Sequence, residues 1–113
     1  MSGSHKSTVE QFTQIVNARH VNHLEKVFDV NVTKQENTKT VFKHLQEARE
    51  YYSMEHEANP SAQWTIVDFK QDDSNENTAH ATISYNNHTY DTTYTFNPSG
   101  KIEKIESHLQ KQQ

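Results

Sequence analysis

The side chains best suited to proton transfer in this sequence are its eight histidines. His20 and His23 are three positions apart, a spacing that could place both imidazoles on one side of a turn. A zinc site needs further protein ligands, however, and the sequence offers neither a third ligand nearby nor an HExxH pattern. We therefore expect no metal site. His56, near the end of a predicted helix, is better placed to act as a proton carrier in a pocket.

Four tyrosines form a second group with chemical potential. Phenol rings offer flat faces to a ligand, and their hydroxyls can orient it. The alternative is that the rings only fill the core, because 31% of the residues are hydrophobic and aliphatic side chains are scarce. Spacing alone does not separate the two roles. The candidate ligand-binding tyrosines are Tyr52, Tyr85, Tyr90 and Tyr94.

The chain has too few cysteines and glycines for thiol chemistry or for nucleotide-binding loops. The chain has no cysteine, which excludes disulfides, thiolate catalysis and cysteine-ligated metals. Its two glycines, Gly3 and Gly100, cannot build a phosphate-binding loop or a dinucleotide fingerprint. We accordingly expect no cofactor.

The charge distribution argues against two classes of partner. The formal net charge is −4, and no cluster of Lys and Arg lies beside aromatic residues, so we expect no nucleic-acid partner. No apolar run approaches the roughly 20 residues that a bilayer crossing needs, and we expect no membrane contact. With no segment that resembles a signal peptide at the start, the predicted location is cytoplasmic.

The first half of the sequence has helical periodicity. Ser7 and Glu10 have the spacing of a capping box, which predicts a helix from position 7 and leaves residues 1–6 as a disordered leader. Asn22 and Glu25 predict a second, short helix. The inward side chains of these two helices are predicted to be Val9, Phe12, Ile15, Val16, Leu24, Val27 and Phe28.

A third, longer helix is predicted to begin at Asn37 or Thr38 and to end at the Asn59-Pro60 pair. Residues 30–35, which precede it, could form a short edge strand. The apolar stripe of the third helix would comprise Val41, Phe42, Leu45, Ala48 and Tyr52.

Beyond Pro60 the pattern alternates with a period of two, which is typical of strands. We predict strands at 64–70, 78–85, 88–96 and 101–109, joined by polar turns. The inward faces would carry Ala79, Ala81, Ile83 and Tyr85 on the second; His88, Tyr90, Thr92, Tyr94 and Phe96 on the third; and Glu103, Ile105, Ser107 and Leu109 on the last.

Helices followed by hairpin-linked strands indicate an α+β fold: three N-terminal helices packed on a curved, mainly antiparallel sheet. The length fits one domain, which we place at residues 7–110.

Two stretches resemble the nuclear-transport-factor-2-like superfamily, which includes ketosteroid isomerases and SnoaL-like polyketide cyclases. They are FTQIVNARHVNHLEKVF, from Phe12 to Phe28, and YTFNPSGKIEKI, from Tyr94 to Ile105. The resemblance implies a cystatin-like cone with a pocket at its open end. It also implies a homodimer through the convex sheet face, where Thr89, Asp91, Thr93 and Thr95 would point outward.

The resemblance also assigns three positions to the site of the isomerases. The tyrosine that stabilises their oxyanion corresponds to Phe12, and the protonated aspartate beside it corresponds to Thr92. Phe12 has no proton to donate and Thr92 is a weaker electrophile, so steroid isomerisation by that mechanism is not expected. The general base corresponds to Glu36, which could abstract a proton next to a carbonyl group. The alternative is that Glu36 is a solvated loop residue.

Three functions remain open from the sequence. The leading expectation is a SnoaL-like domain that binds a small apolar or aromatic molecule, with acid/base chemistry through Glu36. A second is a dimeric protein-interaction module without a ligand. A third is a dehydratase or cyclase that uses His56.

Overall fold

Three helical segments lie on one face of a six-stranded sheet. The computed structural model describes residues 5–110. Helix α1 spans His5–Asn17, a short 3-10 helix spans Val21–Lys26, and helix α2 spans Leu45–Ala58. The strands are β1 (Phe28–Glu36), β2 (Lys39–Phe42), β3 (Thr65–Gln71), β4 (Thr78–Tyr85), β5 (His88–Phe96) and β6 (Ile102–Leu109).

The strand order is β2-β1-β6-β5-β4-β3. Strands β1 and β6 are parallel, and every other neighbouring pair is antiparallel. The sheet is open and curved, so the predicted α+β fold with a mainly antiparallel sheet is confirmed.

Helix α1 begins at His5, two residues before the predicted capping box. The His5 ring stacks on Phe96 with centroids 3.8 Å apart, and its Nε2 lies 2.7 Å from the Glu76 carbonyl oxygen. These contacts dock the first turn on the sheet, so Ser7 lies inside the helix and is not its cap. The rest of the predicted leader, residues 1–4, lies outside the described residues.

The predicted start of the third helix is wrong, because residues 37–42 form a hairpin. Asn37 has a positive φ of 59°, a conformation that asparagine tolerates in turns. Its backbone N–H donates to the Ser107 carbonyl at 2.7 Å, and its Oδ1 accepts from the Leu109 N–H at 3.1 Å. The turn is thereby tied to β6. Helix α2 starts later, where His44 Nδ1 accepts from the Glu47 N–H at 3.4 Å.

The strand predicted at 30–35 is longer than expected and is not an edge strand. Strand β1 lies between β2 and β6, which makes β2 and β3 the two edges. The sequence of β1 alone does not indicate which strands lie beside it. Its parallel partner β6 is far away along the chain.

The inward face of β4 is confirmed, since Ala79, Ala81, Ile83 and Tyr85 are buried. On β5 the predicted face is buried at Thr92, Tyr94 and Phe96, whereas Tyr90 is half-buried and His88 is exposed. The predicted face of β6 is partly wrong: Ile102 is buried, and Glu103 and Leu109 are exposed. A register shift between Thr95 and Phe96 inserts an extra residue opposite β5 and reverses the alternation there.

The core lies between the helices and the inner face of the sheet. The predicted inward residues of the first two helices are all buried. Phe12, Phe28, Phe42 and Tyr52 form a continuous aromatic group with centroid separations of 4.9 to 6.1 Å. Helices α1 and α2 have 13 and 14 residues, and no helix in the described range is both long and apolar enough to cross a membrane.

Candidate functional site

A cavity of about 190 Å³ lies between the helices and the inner face of the sheet. We call it the aromatic pocket, because seven of its lining residues are Phe, Tyr or Trp. The lining residues are Phe12, Lys34, Glu36, Tyr51, Tyr52, Glu55, Asn59, Trp64, Ile83, Tyr85, Asn86, His88, Tyr90, Thr92, Tyr94, Ile105 and Ser107.

Seven of the eight candidate site residues from the sequence line this pocket: Phe12, Glu36, Tyr52, Tyr85, Tyr90, Thr92 and Tyr94. His56 is not among its lining residues. Because these seven residues line the same pocket, they could contact the same ligand. Their roles in binding or catalysis stay predictions.

Strand alternation explains how the sheet contributes its share of the lining. Tyr90, Thr92 and Tyr94 are two positions apart on β5, so their side chains point to the same face. The neighbouring strands supply matching positions, because Tyr90 pairs with Ile83 on β4 and Tyr94 pairs with Ile105 on β6. Three adjacent strands therefore form one wall.

Lys34 is a lining residue that the sequence analysis missed. The possible strand at 30–35 included Lys34 without a role in the site, whereas Lys34 lies in β1 with only 8% of its surface exposed. The signal was present in the spacing: Val32, Lys34 and Glu36 alternate, so on a strand they share one face. Lys34 and Glu36 accordingly point into the same pocket.

The Lys34 ammonium lies among aromatic rings. Its Nζ is 5.2 Å from the ring centroid of Tyr51 and 5.7 Å from that of Tyr52, within cation–π range. The four ion pairs found within residues 5–110 do not include Lys34. Burial lowers the pKa of Lys34, while the negative charges of Glu36 and Glu55 partly oppose that shift.

Glu55 is the second missed residue, and it is held in place by two neighbours. Its Oε1 accepts a hydrogen bond from the Tyr85 hydroxyl at 3.1 Å and another from Asn59 Nδ2 at 3.4 Å. Glu55 follows Tyr52 by three positions on α2, so the two side chains lie on the same helix face. Continuing the predicted stripe by one step would have found it.

The tyrosines around the pocket are held as neutral hydroxyls. Burial and the nearby Glu55 charge raise the pKa of Tyr85 to about 12. Burial also raises the pKa of Tyr51, Tyr52, Tyr90 and Tyr94. At neutral pH these hydroxyls therefore keep their protons, and the proton of Tyr85 is already donated to Glu55.

Trp64 forms one wall and is fixed from two sides. Its indole stacks on the Tyr85 ring with centroids 3.8 Å apart and an interplanar angle of 12°. The Asn17 side chain binds its main chain twice, because Nδ2 donates to the Trp64 carbonyl and Oδ1 accepts from the Trp64 N–H, both at 2.8 Å. A residue at the end of α1 therefore positions this wall.

His56 lies on α2 behind this wall. Its ring meets the edge of Trp64 with centroids 6.0 Å apart, and its backbone carbonyl accepts from Arg19 Nη1 at 3.2 Å. Burial and the positive charge of Arg19 lower the pKa of His56. The indole therefore stands between His56 and the pocket.

The histidine pair considered from the sequence does lie close together. The rings of His20 and His23 have centroids 5.2 Å apart. Over residues 5–110, no group of three or more His, Cys, Asp or Glu side chains is arranged to hold a metal ion.

No protein-family model matches the sequence, and no curated protein matches it. Solved structures do match in fold. A SnoaL-like polyketide cyclase from Agrobacterium tumefaciens strain C58 superposes with a TM-score of 0.79 at 14% identity, covering 97% of this chain and 94% of that one.

Two further structures support the same fold. A protein of unknown function with a cystatin-like fold from Methylobium petroleophilum PM1 gives a TM-score of 0.83 at 12% identity, covering 96% of this chain and 77% of that one. An NTF2-like protein of unknown function from Exiguobacterium sp. 255-15 gives 0.79 at 13% identity, covering 93% and 99% of the two chains. This chain therefore has the cystatin-like fold that SnoaL-like and NTF2-like proteins share.

Proposed function

We propose that this protein binds a small, flat, neutral carbonyl compound in the aromatic pocket and that Glu36 acts on it as an acid/base group. The observation that carries the proposal is the placement of one buried ammonium and two carboxylates in a cavity to which seven Phe, Tyr and Trp side chains also contribute. Small-molecule sites commonly have this composition, with a few polar groups in an apolar enclosure.

The volume of the pocket limits the size of the ligand. A cavity of about 150 Å³ in a protein core can hold benzene, and drug-sized ligands occupy about 300 to 1,000 Å³. At about 190 Å³, the aromatic pocket fits a compound with one ring and a short substituent. The facing Tyr and Phe rings favour a flat molecule.

The charges in the pocket favour a neutral ligand that accepts hydrogen bonds. Lys34, Glu36 and Glu55 together leave the lining with a formal charge of −1, which disfavours a carboxylate ligand. Lys34 already occupies the position of a cation against the tyrosine rings. A carbonyl oxygen can accept hydrogen bonds from Lys34 and from the tyrosine hydroxyls without adding charge.

Glu36 and Lys34 share one face of β1 and could act together. The Glu36 carboxylate would take a proton from the carbon next to the carbonyl, and the electron pair would move to the carbonyl oxygen. The Lys34 ammonium would donate a hydrogen bond to that oxygen as its negative charge develops. The A. tumefaciens relative, described as a SnoaL-like polyketide cyclase, supports small-molecule chemistry on this fold.

Binding can be tested with acetophenone as the neutral probe, and with benzoate and benzylamine as charged probes of similar shape. Isothermal titration calorimetry should show that acetophenone binds more tightly than either charged probe. Lys34→Met should weaken acetophenone binding by about tenfold, the loss of one net hydrogen bond. Gln35→Ala, on the opposite face of the same strand, is the matched control. Absence of acetophenone binding to the wild type would sink the proposal.

The acid/base role needs a separate measurement. Exchange of the acetophenone methyl protons for deuterium, followed by NMR in D2O, reports proton abstraction next to the carbonyl. We expect the protein to accelerate exchange and Glu36→Gln to reduce the acceleration by at least about 100-fold. Unchanged exchange in Glu36→Gln would remove Glu36 from this role while leaving the binding proposal in place.

A further inference from the structure

Lys34 is held rigidly at the base of the aromatic pocket. It lies in a strand with neighbours on both sides, paired with Phe42 on β2 and with Ile105 on β6. Pairing on both sides sets the direction of its Cα–Cβ bond toward the pocket, next to a register shift between Lys34 and Gln35 in the pairing with β2. Because the backbone position of Lys34 is set by the sheet, its Nζ atom can reach only part of the pocket.

The amine of Lys34 meets the pocket and not bulk water. Only 8% of its surface is exposed, and the rings of Tyr51 and Tyr52 flank the Nζ atom. An amine in an enclosed aromatic cavity meets a bound ligand at close range, which converts a bimolecular encounter into an intramolecular one.

The protonation state of Lys34 also suits a nucleophile. Burial lowers its pKa, so at any given pH a larger fraction of Lys34 carries a free lone pair than for an exposed lysine. The charged form is favoured by Glu36 and Glu55 and by the flanking Tyr51 and Tyr52 rings.

We infer that Lys34 Nζ forms an imine with the carbonyl carbon of a small aromatic aldehyde or ketone bound in the aromatic pocket. This inference rests on the proposed function, since it requires the same ligand in the same cavity. It goes further by giving Lys34 a covalent role.

The reaction balances without an oxidant or reductant. The Nζ lone pair forms a bond to the carbonyl carbon, and the carbonyl oxygen takes up a proton to give a carbinolamine. That hydroxyl then takes up a second proton and leaves as water, while the nitrogen loses both of its amine protons and the C=N bond forms.

The two carboxylates are suited to relay these protons. Glu36 lies two residues from Lys34 on the same strand face, and Glu55 faces it from α2. Tyr85 and Asn59 hold the Glu55 carboxylate in position. Either group could accept a proton from the nitrogen and return it to the departing oxygen.

The test uses the full chain, benzaldehyde and sodium cyanoborohydride at neutral pH. The reagent delivers a hydride to the imine carbon and fixes the adduct as a secondary amine, which adds one benzyl group to the lysine. Peptide mapping by mass spectrometry then compares Lys34 with the exposed Lys39 and Lys43. We expect modification of Lys34 to be at least about tenfold faster, because the pocket holds the bound aldehyde next to the amine. An excess of phenol, which competes for the pocket but has no carbonyl, should slow labelling of Lys34 alone.

Two variants complete the design. Lys34→Arg keeps the positive charge but cannot form the imine, and Lys39→Arg is the matched control on the exposed side. Loss of the fast-labelling peptide only in Lys34→Arg supports the inference; if that variant does not fold, the wild-type peptide map decides alone. Labelling of Lys39 and Lys43 with Lys34 unmodified overturns it. If calorimetry still shows acetophenone binding in that case, the imine is rejected and the proposed binding function is retained. If binding is also absent, both the imine and the proposed function are rejected.

Discussion

The side-chain amide of Asn17, at the end of α1, makes two hydrogen bonds of 2.8 Å to the main chain of Trp64. These bonds set where the chain enters β3 and therefore where the Trp64 indole stands at the pocket. Asn17 pairs with both a donor and an acceptor, which its amide satisfies because it carries an oxygen and an NH2 group.

We expect Asn17→Ala to lower the free energy of unfolding by about 1 to 3 kcal/mol, because it leaves two partly buried main-chain groups without partners. Urea denaturation followed by tryptophan fluorescence measures the loss. Asn17→Asp should recover only part of it, since a carboxylate cannot donate to the Trp64 carbonyl. The exposed Asn31→Ala is the control and should change stability by less than about 0.5 kcal/mol. A similar loss in both alanine variants would contradict this role for Asn17.

The hydrogen bond from Tyr85 to Glu55 predicts a second effect. Tyr85→Phe removes the donor while keeping the ring that stacks on Trp64, and we expect a loss of about 1 kcal/mol in the free energy of unfolding. Tyr90→Phe is the matched control, since within residues 5–110 its hydroxyl makes no hydrogen bond to another side chain. Equal stability losses in the two variants, measured by urea denaturation, would count against an anchoring role for Tyr85.

The buried amine of Lys34 predicts an unusual pH dependence. Burial lowers its pKa in the folded state below the ordinary 10.5, so between these two values the unfolded chain holds a proton that the folded chain has released. Stability of the wild type must therefore rise with pH through that window. Lys34→Met lacks this dependence. We expect the variant to have its largest stability advantage at neutral pH and a smaller one near pH 10.

Denaturation of both proteins at several pH values checks this. The neighbouring ionisable groups, Glu36, Glu55, Tyr51, Tyr52, Tyr85 and Tyr90, are present in both proteins, so their contributions largely cancel in the difference. A difference between wild type and variant that stays constant from pH 7 to pH 10 would contradict the shift.

Asp72 predicts a second pH dependence, at acid pH, in which stability also rises with pH. Hydrogen bonds from Ser74 and from His80 lower the pKa of Asp72 from 3.8 to about 2. Its stabilisation is complete above pH 3.8 and is lost as the pH falls through about 2. Asp72→Asn should therefore unfold with a weaker pH dependence between these values, as followed by circular dichroism. Asp73→Asn, which removes one charge from the same loop, should keep the wild-type slope.

The predicted homodimer through the convex sheet face can be tested directly. The outward row of β5, with Thr89, Asp91, Thr93 and Thr95, is partly to fully exposed and offers hydroxyls with little apolar surface. If this face forms the dimer, Thr82→Glu, placed opposite Asp91 on β4, should convert a dimer into a monomer. Light scattering coupled to size-exclusion chromatography gives the mass. A dimer that persists in Thr82→Glu would place the interface elsewhere.

The spacing of apolar residues predicted the structure correctly for strands that have one face buried in the core and the other exposed. The alternation of β4 and β5 predicted both their bounds and their buried faces, because successive strand side chains must point to opposite sides. Tyr85, Tyr90 and Tyr94 of the pocket followed from the same rule. The start of α2 did not follow, because helical spacing fits Val41 and Phe42 as well as a strand does, and only the contacts of Asn37 with β6 select the hairpin.

The sequence by itself determined the class of fold, the apolar stripe of α1 and the inward tyrosines of β4 and β5, since these depend on periodicity and on residue type alone. Only the tertiary structure decided that Lys34 and Glu55 join Glu36 in one cavity and that His56 stands behind Trp64. The physical reason is that β1 pairs with a strand from the other end of the chain, and a contact over such a separation leaves no local pattern.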